Sequence, residues 1–205
     1  MNDGRLFHIN SRPSLCTTSI TQRGATVAQP DRQAPQRAWW IALIPLVIAY
    51  VADLWSKETV LANMQEGDQI PVLEPLLSWH FIRNPGAAFS IGTDFTWLFT
   101  IIQGVGLVIV VYLIARKART LPWLLTLGGL GGGIAGNLTD RLFREPGFGT
   151  GHVIDFIAVP NFAIFNIADS FIVVSIILIV LLVMMGKTMD GLPEDSDDDT
   201  QHANL

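Results

Sequence analysis

Hydrophobic residues of this 205-residue chain fall into four uncharged runs, separated by polar segments: 39–52, 95–115, 120–139 and 170–186. A helix that crosses a bilayer needs roughly 20 predominantly apolar residues. The second and third runs reach this length alone. The first and fourth reach it only if their helices continue past Asp53 and Asp169, which would draw both carboxylates into the membrane edge. The pattern predicts an all-α membrane protein with four transmembrane helices.

The segments between the runs carry different signals. In residues 57–94, Leu77, Trp79 and Phe81 alternate with polar neighbours, which predicts a small sheet packed against the membrane face. Residues 142–163 are rich in Pro and Gly and predict mostly loop. The third run contains six glycines between Gly128 and Gly136. Small residues let membrane helices approach closely, so packing is favoured over a hinge.

Composition supports a membrane protein. Half of the residues are hydrophobic, 15% are charged, and the mean hydropathy is +0.41. Six of the 18 acidic residues lie between Asp190 and Asp199, so the net charge of −5 reflects a local tail. No basic pattern indicates nucleic-acid binding. The single cysteine, Cys16, excludes an intramolecular disulfide.

The chain ends differ from its centre. Residues 1–38 are polar and lack the apolar core of a cleavable signal peptide, so we expect a disordered cytoplasmic extension. Residues 39–186 form the membrane domain, and 187–205 an acidic tail. Nine Lys and Arg residues lie on the side of the two termini and four on the other side. The positive-inside rule therefore places both termini in the cytoplasm of a multi-pass protein.

With this topology, the polar residues of the runs gather at the outer end of the helices. Helical spacing places Asp53 with Lys57 on one face, and Asn166 with Asp169 on another. It also groups Asn137, Asp140 and Arg141 in the third run. Structural ion pairs need not collect at one depth, so the convergence indicates an active site near the outer membrane surface.

The expected roles differ. Asp53 and Lys57 have the spacing of a structural ion pair, and Arg141 is expected to clamp a carbonyl or carboxylate on a neighbouring element. Asp155 and Asp169 are separated by thirteen uncharged residues, so neither has a local cation. Such carboxylates can share a proton and activate water. Asp169 could equally cap its helix, and from the residues alone both interpretations stay open.

Other chemistries find no support. Neither a Gly-x-Ser-x-Gly nor a His-Glu-x-x-His motif occurs, and the four histidines are scattered, which disfavours zinc. Ser56 and Lys57 are adjacent and do not face each other on a helix, which disfavours a Ser-Lys dyad.

Five short motifs make the chain resemble the bacterial lipoprotein signal peptidases, also called signal peptidases of the second type. They occur in the family's order across residues 39–186: DLWSK at 53–57, RNPGAAFS at 83–90, GNLTDR at 136–141, VIDF at 153–156 and FNIADS at 165–170. Each motif is weak alone, but five in order with this topology are specific.

The resemblance implies an aspartic endopeptidase of the cytoplasmic membrane with Asp155 and Asp169 as the catalytic pair. It implies substrate binding or site support by Asn84, Gly86, Asn137, Arg141 and Asn166, whereas Asp53, Lys57 and Asp140 hold the helices together.

The family's substrate is a prolipoprotein with a diacylglyceryl-modified cysteine, cut just before that cysteine. The outer sheet would cradle this substrate under a loop that acts as a lid, and globomycin would inhibit. We expect a monomer in contact with membrane lipids, with no cofactor and no metal. The long amino-terminal extension, the acidic tail and the short connection from Asp155 to Asp169 depart from the family pattern.

Two alternatives remain. A four-span carrier or assembly factor could use the carboxylates for proton or ion coupling, and only proteolysis of a lipid-modified precursor separates it from a peptidase. A presenilin-like protease is disfavoured, because its aspartates face each other in mid-membrane, whereas Asp155 lies in a loop-rich segment.

Overall fold

The computed structural model describes residues 38–86 and 96–192. Four long helices and three strands occur in these two ranges, and a short 3-10 turn, Trp39–Ala42, leads into the first helix. The helices are α1 (Leu43–Asn63), α2 (Thr96–Arg116), α3 (Leu121–Phe143) and α4 (Ile167–Met184); the strands are β1 (Gln69–Leu73), β2 (Leu77–Asn84) and β3 (Val153–Ala158).

The first and last helices contain the carboxylates that bordered their apolar runs. Helix α1 continues past Asp53 to Asn63, and α4 begins at Ile167, two residues before Asp169. The first and fourth runs could reach spanning length only if their helices were extended in this way, and both extensions are present.

Among the described residues, three helical segments are long and apolar enough to cross a membrane: Trp39–Asn63, Thr96–Arg116 and Ile167–Met184. The run 120–139 forms a helix as predicted, but α3 does not join this group. Its glycines and Asn137 add little hydropathy. Helix α3 instead packs against each of the other three helices, and its side chains are largely buried by them. The protein is thus a helical membrane protein in which the least apolar helix is central.

Glycine allows α1 and α3 to pack closely. A Cβ atom at Gly132 would overlap the backbone oxygen of Leu46 and lie 2.7 Å from the Cβ of Ala49. Gly128, one turn earlier, meets the backbone oxygen of Ala42 in the same way. These glycines serve helix packing, as the sequence indicated.

The strands form one antiparallel sheet in the order β1-β2-β3. The predicted strand around Leu77–Phe81 is confirmed as part of β2. The prediction that residues 142–163 are mostly loop is wrong for Val153–Ala158, which forms β3. This apolar, partly β-branched stretch pairs along β2 and buries Ile154 and Phe156 against Phe81 and the outer part of α1. The sheet is thereby fixed to the helical bundle.

The first residues after α4 return to the turn between α2 and α3. The indole Nε1 of Trp123 donates to the Lys187 carbonyl at 2.9 Å, and the Met189 carbonyl accepts from Arg119 and Thr120. The segment 187–192 is therefore packed. The rest of the predicted acidic tail, and the amino-terminal extension with Cys16, lie outside the described residues.

Candidate active site

Strand pairing places Asp155 on the face of the sheet that carries Asn84. Ile82 lies opposite Asp155 and Asn84 lies opposite Val153, so Asn84 and Asp155 are diagonal neighbours on one face. Asp155 is 1% exposed. Asn84 Nδ2 donates to Asp155 Oδ2 at 2.8 Å.

Asp169 sits in the first turn of α4, where Asn166 is the N-cap. Asn166 Oδ1 accepts from the Asp169 N–H at 2.9 Å, and Asp169 Oδ2 accepts from the Asn166 N–H at 3.2 Å, which makes a capping box. The capping interpretation is therefore correct for one oxygen of Asp169. The second oxygen, Oδ1, accepts instead from Asn137 Nδ2 at 2.7 Å.

Three asparagines surround the two carboxylates, and each donates its amide NH₂ to one of them. Asn84 and Asn166 donate to the two oxygens of Asp155, at 2.8 and 2.6 Å, and Asn137 donates to Asp169. Helical spacing and the family resemblance had already indicated these residues in the sequence. The structure adds that all three present the same group to a carboxylate.

The orientation of each amide follows from what its oxygen accepts. In every case the partner of Oδ1 is a group that can only donate, so the amide cannot rotate without losing that bond. Each NH₂ group must then point toward the carboxylates. The three donors are the Gly86 N–H for Asn84 at 2.8 Å, the Lys57 ammonium for Asn137 at 3.0 Å and the Asp169 N–H for Asn166 at 2.9 Å.

Lys57 is the centre of a buried ion cluster behind these asparagines. Its Nζ lies 2.6 Å from Asp53 and 2.7 Å from Asp140, and all three side chains are 0% exposed. The predicted pairing of Asp53 with Lys57 is confirmed, and Asp140 joins it. Asp140 also accepts from Arg144 Nε at 2.5 Å. Arg144 was missed in the sequence, although its i, i+4 spacing from Asp140 could have identified it.

The two carboxylates of this cluster also bind the backbone. Asp53 accepts from the N–H of Ala168 at 2.9 Å, and Asp140 accepts from the N–H of Ile154 at 3.3 Å. Each of these two residues immediately precedes one of the candidate catalytic aspartates. The cluster thus connects α1 and α3 to the positions from which both aspartates project.

Arg141 contacts the loop after β2, as predicted for a clamp. Its Nη1 donates to the Pro85 carbonyl at 3.4 Å, and its guanidinium lies 5.5 Å from the centre of the Phe99 ring. Gly86, next in this loop, has a φ of 106°. A side chain there would be strained and its Cβ would collide with Phe99, so this position requires glycine.

Burial, and after it the negative charge of Asp169, raise the pKa of Asp155 to about 7. The hydrogen bonds from Asn84 and Asn166 and the positive charge of Lys57 act in the opposite direction. Asp155 therefore retains its proton up to about pH 7.

Both aspartates line a cavity of about 560 Å³ that extends along α4. Apart from Asn84, the two carboxylates and Ser170, its walls are apolar, and include Phe162, Phe165 and Val173. Val173 and Phe162 are more than half exposed, so the cavity is open on a side rich in apolar surface. Within 38–86 and 96–192, no cluster of three or more His, Cys, Asp or Glu side chains is arranged to hold a metal ion.

The buried Asp155 and the half-buried Asp169, each held by asparagine amides, thus lie beside an apolar cavity at the end of apolar helices, and comparison with known proteins shows the family of the chain. The model of the signal peptidase II family matches residues 45–185, and the chain belongs to this family.

Curated relatives agree. The lipoprotein signal peptidase of Leifsonia xyli subsp. xyli is 46% identical over 175 residues, covering 84% of this chain and 81% of the relative. That of Streptomyces griseus is 51% identical over 145 residues, covering 71% and 74%. A bacterial membrane enzyme solved by the in meso method at 2.3 Å superimposes with a TM-score of 0.66 at 28% identity, covering 75% of this chain and 93% of that one. The protein is therefore a membrane peptidase.

Proposed function

We propose that this peptidase removes signal peptides from diacylglyceryl-modified prolipoproteins by aspartic catalysis, cutting just before the modified cysteine. The observation that carries the proposal is the arrangement of Asp155 and Asp169, which share a cavity and interact electrostatically. The relatives' name supports the lipoprotein precursor as substrate.

In the proposed reaction the two carboxyls exchange protons with water and substrate. Asp169, ionised, takes a proton from water as the water oxygen attacks the scissile carbonyl carbon. Asp155, which holds its proton, donates it to the carbonyl oxygen and stabilises the tetrahedral intermediate. When the C–N bond breaks, the proton on Asp169 passes to the leaving amine and Asp155 recovers its own. Atoms and charge balance without a metal or cofactor.

The apolar cavity suits a lipid-bearing substrate. Its α4 wall, with Ile172, Val173 and Val174, is continuous with the surface of an apolar helix of spanning length. A substrate could enter sideways from the bilayer while its peptide bond meets the polar end of the cavity.

We propose four spans in the cytoplasmic membrane, with α3 crossing inside the ring of its three apolar neighbours. The distribution of Lys and Arg supports cytoplasmic termini and an outer position for the sheet. In this arrangement the site lies near the outer face of the membrane, and the protein acts as a monomer among membrane lipids.

The direct test uses the full-length protein in detergent or liposomes with a diacylglyceryl-modified precursor and the same precursor unmodified. We expect cleavage of the modified form only, giving a product whose first residue is the lipid-bearing cysteine by mass spectrometry. Equal cleavage of both forms, or a cut elsewhere, would contradict the proposal.

Asn84 provides a test of site chemistry, because it caps its own turn through Oδ1 and supports Asp155 through Nδ2. Asn84→Asp keeps an oxygen for the Gly86 N–H but replaces the donor with a second carboxylate. We expect this variant to lose more kcat/KM than Asn84→Ala, for which loss of the hydrogen bond to the buried Asp155 carboxyl predicts about 1–3 kcal/mol. The hydrogen bond from Asn84 lowers the pKa of Asp155. Both variants lose this bond, so the alkaline limb of the pH profile should shift to higher pH in each.

The pH profile and melting temperature separate the two roles of Asn84. A role confined to the turn would leave Asn84→Asp close to the unmodified protein, and Asn84→Ala with a lower melting temperature but the same pH limb. Asn63→Ala, at the exposed end of α1, is the control for loss of an asparagine.

The raised pKa of Asp155 also predicts a pH-dependent stability difference. An unfolded chain releases this proton near pH 4, whereas the folded protein releases it near pH 7. Between these values the folded state binds more protons, so this group lowers stability as pH rises, and above pH 7 the loss is complete. Asp155→Asn removes this effect, and its melting temperature relative to the unmodified protein should rise by several degrees between pH 5 and pH 8.

This measurement needs no substrate. Glu74→Gln, which removes an exposed carboxylate, is the control. The difference between its melting temperature and that of the unmodified protein gives the background change with pH. A melting-temperature difference for Asp155→Asn that stays constant across this pH range would show that the folded protein does not hold this proton unusually tightly.

A further inference from the structure

The buried Lys57 does more than is needed to join helices. An ion triad in a low-dielectric interior costs desolvation energy, and apolar residues of similar size often hold elements together equally well. Lys57, Asp53 and Asp140 are nevertheless all 0% exposed. A charge kept at such a position calls for a function that an apolar side chain cannot supply.

The first such function is the orientation of Asn137. Lys57 uses its three N–H bonds on Asp53, Asp140 and Asn137 Oδ1. An ammonium has no acceptor, so Asn137 must turn its oxygen toward Lys57 and its NH₂ toward Asp169. Asn166, whose own direction is set by the Asp169 N–H, also donates to this oxygen, at 3.1 Å. Lys57 is the charged one of the two donors that fix this amide's direction, and it makes the shorter bond.

The second function concerns the backbone beneath the site. The two carboxylates paired with Lys57 hold the N–H groups of Ala168 and Ile154, which precede the two aspartates. Without the ammonium these carboxylates would repel each other and no longer keep their positions. One cation therefore supports both members of the pair from α1.

We propose that Lys57 is a positioning residue for the peptidase reaction, setting the direction of the hydrogen bond to Asp169 and anchoring both aspartates through its carboxylate partners. This inference rests on the proposed function. It goes beyond helix packing, because it assigns to Lys57 an effect on the chemical step that travels through Asn137.

The test must remove the ammonium without leaving uncompensated charge. Lys57→Met combined with Asp53→Asn removes one positive and one negative charge and keeps an oxygen for the Ala168 N–H. Compared with Asp53→Asn alone, we expect kcat for a diacylglyceryl-modified precursor to fall on the order of 10- to 100-fold, with KM little changed. The melting temperature should show that the variant is folded.

A double-mutant cycle shows whether Lys57 acts through Asn137. In the Asp53→Asn background, Asn137→Ala should reduce kcat, and adding Lys57→Met should then reduce it by a smaller factor than when Asn137 is present, because only the anchoring through Asp140 is left to lose. Effects that multiply would overturn the proposed path, because two independent roles predict them.

The pH profile is a readout that a packing role would not move. The Lys57 charge lowers the pKa of Asp155, which also interacts with Asp169, Asn84, Asn166 and the Arg141 guanidinium. Its removal should shift the alkaline limb of kcat/KM to higher pH. Unchanged kcat and an unchanged limb in a folded variant would overturn the proposal.

Asn137→Asp keeps the test decisive if the Lys57 variant does not fold. This change offers Lys57 a stronger acceptor but removes the donor to Asp169, so we expect a folded protein with kcat reduced about 100-fold or more. Turnover like that of the unmodified protein would overturn the proposal. Glu66→Gln, which breaks the exposed 3.4 Å ion pair with Arg83, is the control and should leave kcat unchanged.

Failure of the proposed function would look different. In that case the unmodified protein would not cleave the lipid-modified precursor at all. Cleavage by the unmodified protein, combined with full activity of the Lys57 and Asn137 variants, would reject only the positioning role.

Discussion

Asp155→Asn and Asp169→Asn are each expected to reduce kcat for a lipid-modified precursor by about a thousand-fold or more. Each change replaces a carboxyl group with an amide of nearly the same shape. The amide cannot accept a proton from water or donate one to the leaving amine. Both variants should insert in the membrane and fold, because the amide oxygen can still accept one of the existing hydrogen bonds.

The double variant distinguishes a pair from two independent groups. If the carboxyls act as a unit, Asp155→Asn combined with Asp169→Asn should be scarcely slower than either single variant. Asp68→Asn makes the same chemical change at an exposed position and should retain full turnover. A folded single variant with near-normal turnover would remove that aspartate from the mechanism.

Gly132→Val is expected to prevent assembly of the helical bundle. Its Cβ would overlap the Leu46 backbone, which cannot move aside as a flexible side chain can, and valine adds two further methyl groups. We expect little folded protein in detergent and no measurable cleavage.

The matched control for this prediction is Gly104→Val in α2, where a Cβ meets no atom within 4 Å. This variant should accumulate, melt near the temperature of the unmodified protein and cleave normally. Equal behaviour of the two variants in size-exclusion chromatography and thermal melting would show that the contact between α1 and α3 is not as close as described.

Much of the site could be predicted because it depends on spacing within single helices. The pairing of Asp53 with Lys57, and of Asn166 with Asp169, follows from i, i+4 and i, i+3 separations. The apolar runs fixed the identity of all four helices, and their lengths indicated that α1 and α4 continue past the bordering carboxylates.

What the sequence could not supply depends on how separate elements meet. The pairing of β2 with β3 places Asn84 beside Asp155, 71 positions apart. No local pattern encodes that register, and the Pro and Gly residues around β3 concealed the strand. The position of α3 at the centre of the bundle was equally hidden, because low hydropathy in a glycine-rich helix becomes acceptable only when other helices surround it.

The orientation of the three asparagines also emerges only from the assembled site. Sequence spacing could bring amides near carboxylates, but not determine which end of each amide faces them. That direction is set by the Gly86 N–H, the Lys57 ammonium and the Asp169 N–H. Mutation of an asparagine to aspartate is consequently more informative at this site than mutation to alanine.

The central claim is that a protonated Asp155 works with an ionised Asp169. The most direct test of this claim is the pH dependence of kcat/KM for the unmodified protein. The measurement uses a diacylglyceryl-modified precursor in liposomes from pH 5 to pH 9, with melting temperatures at each pH to confirm folding. Because the pKa of Asp155 is raised to about 7, we predict that kcat/KM falls tenfold per pH unit once the pH exceeds that value. A kcat/KM that keeps rising to pH 9 would contradict the account, since it would require the group to act without its proton.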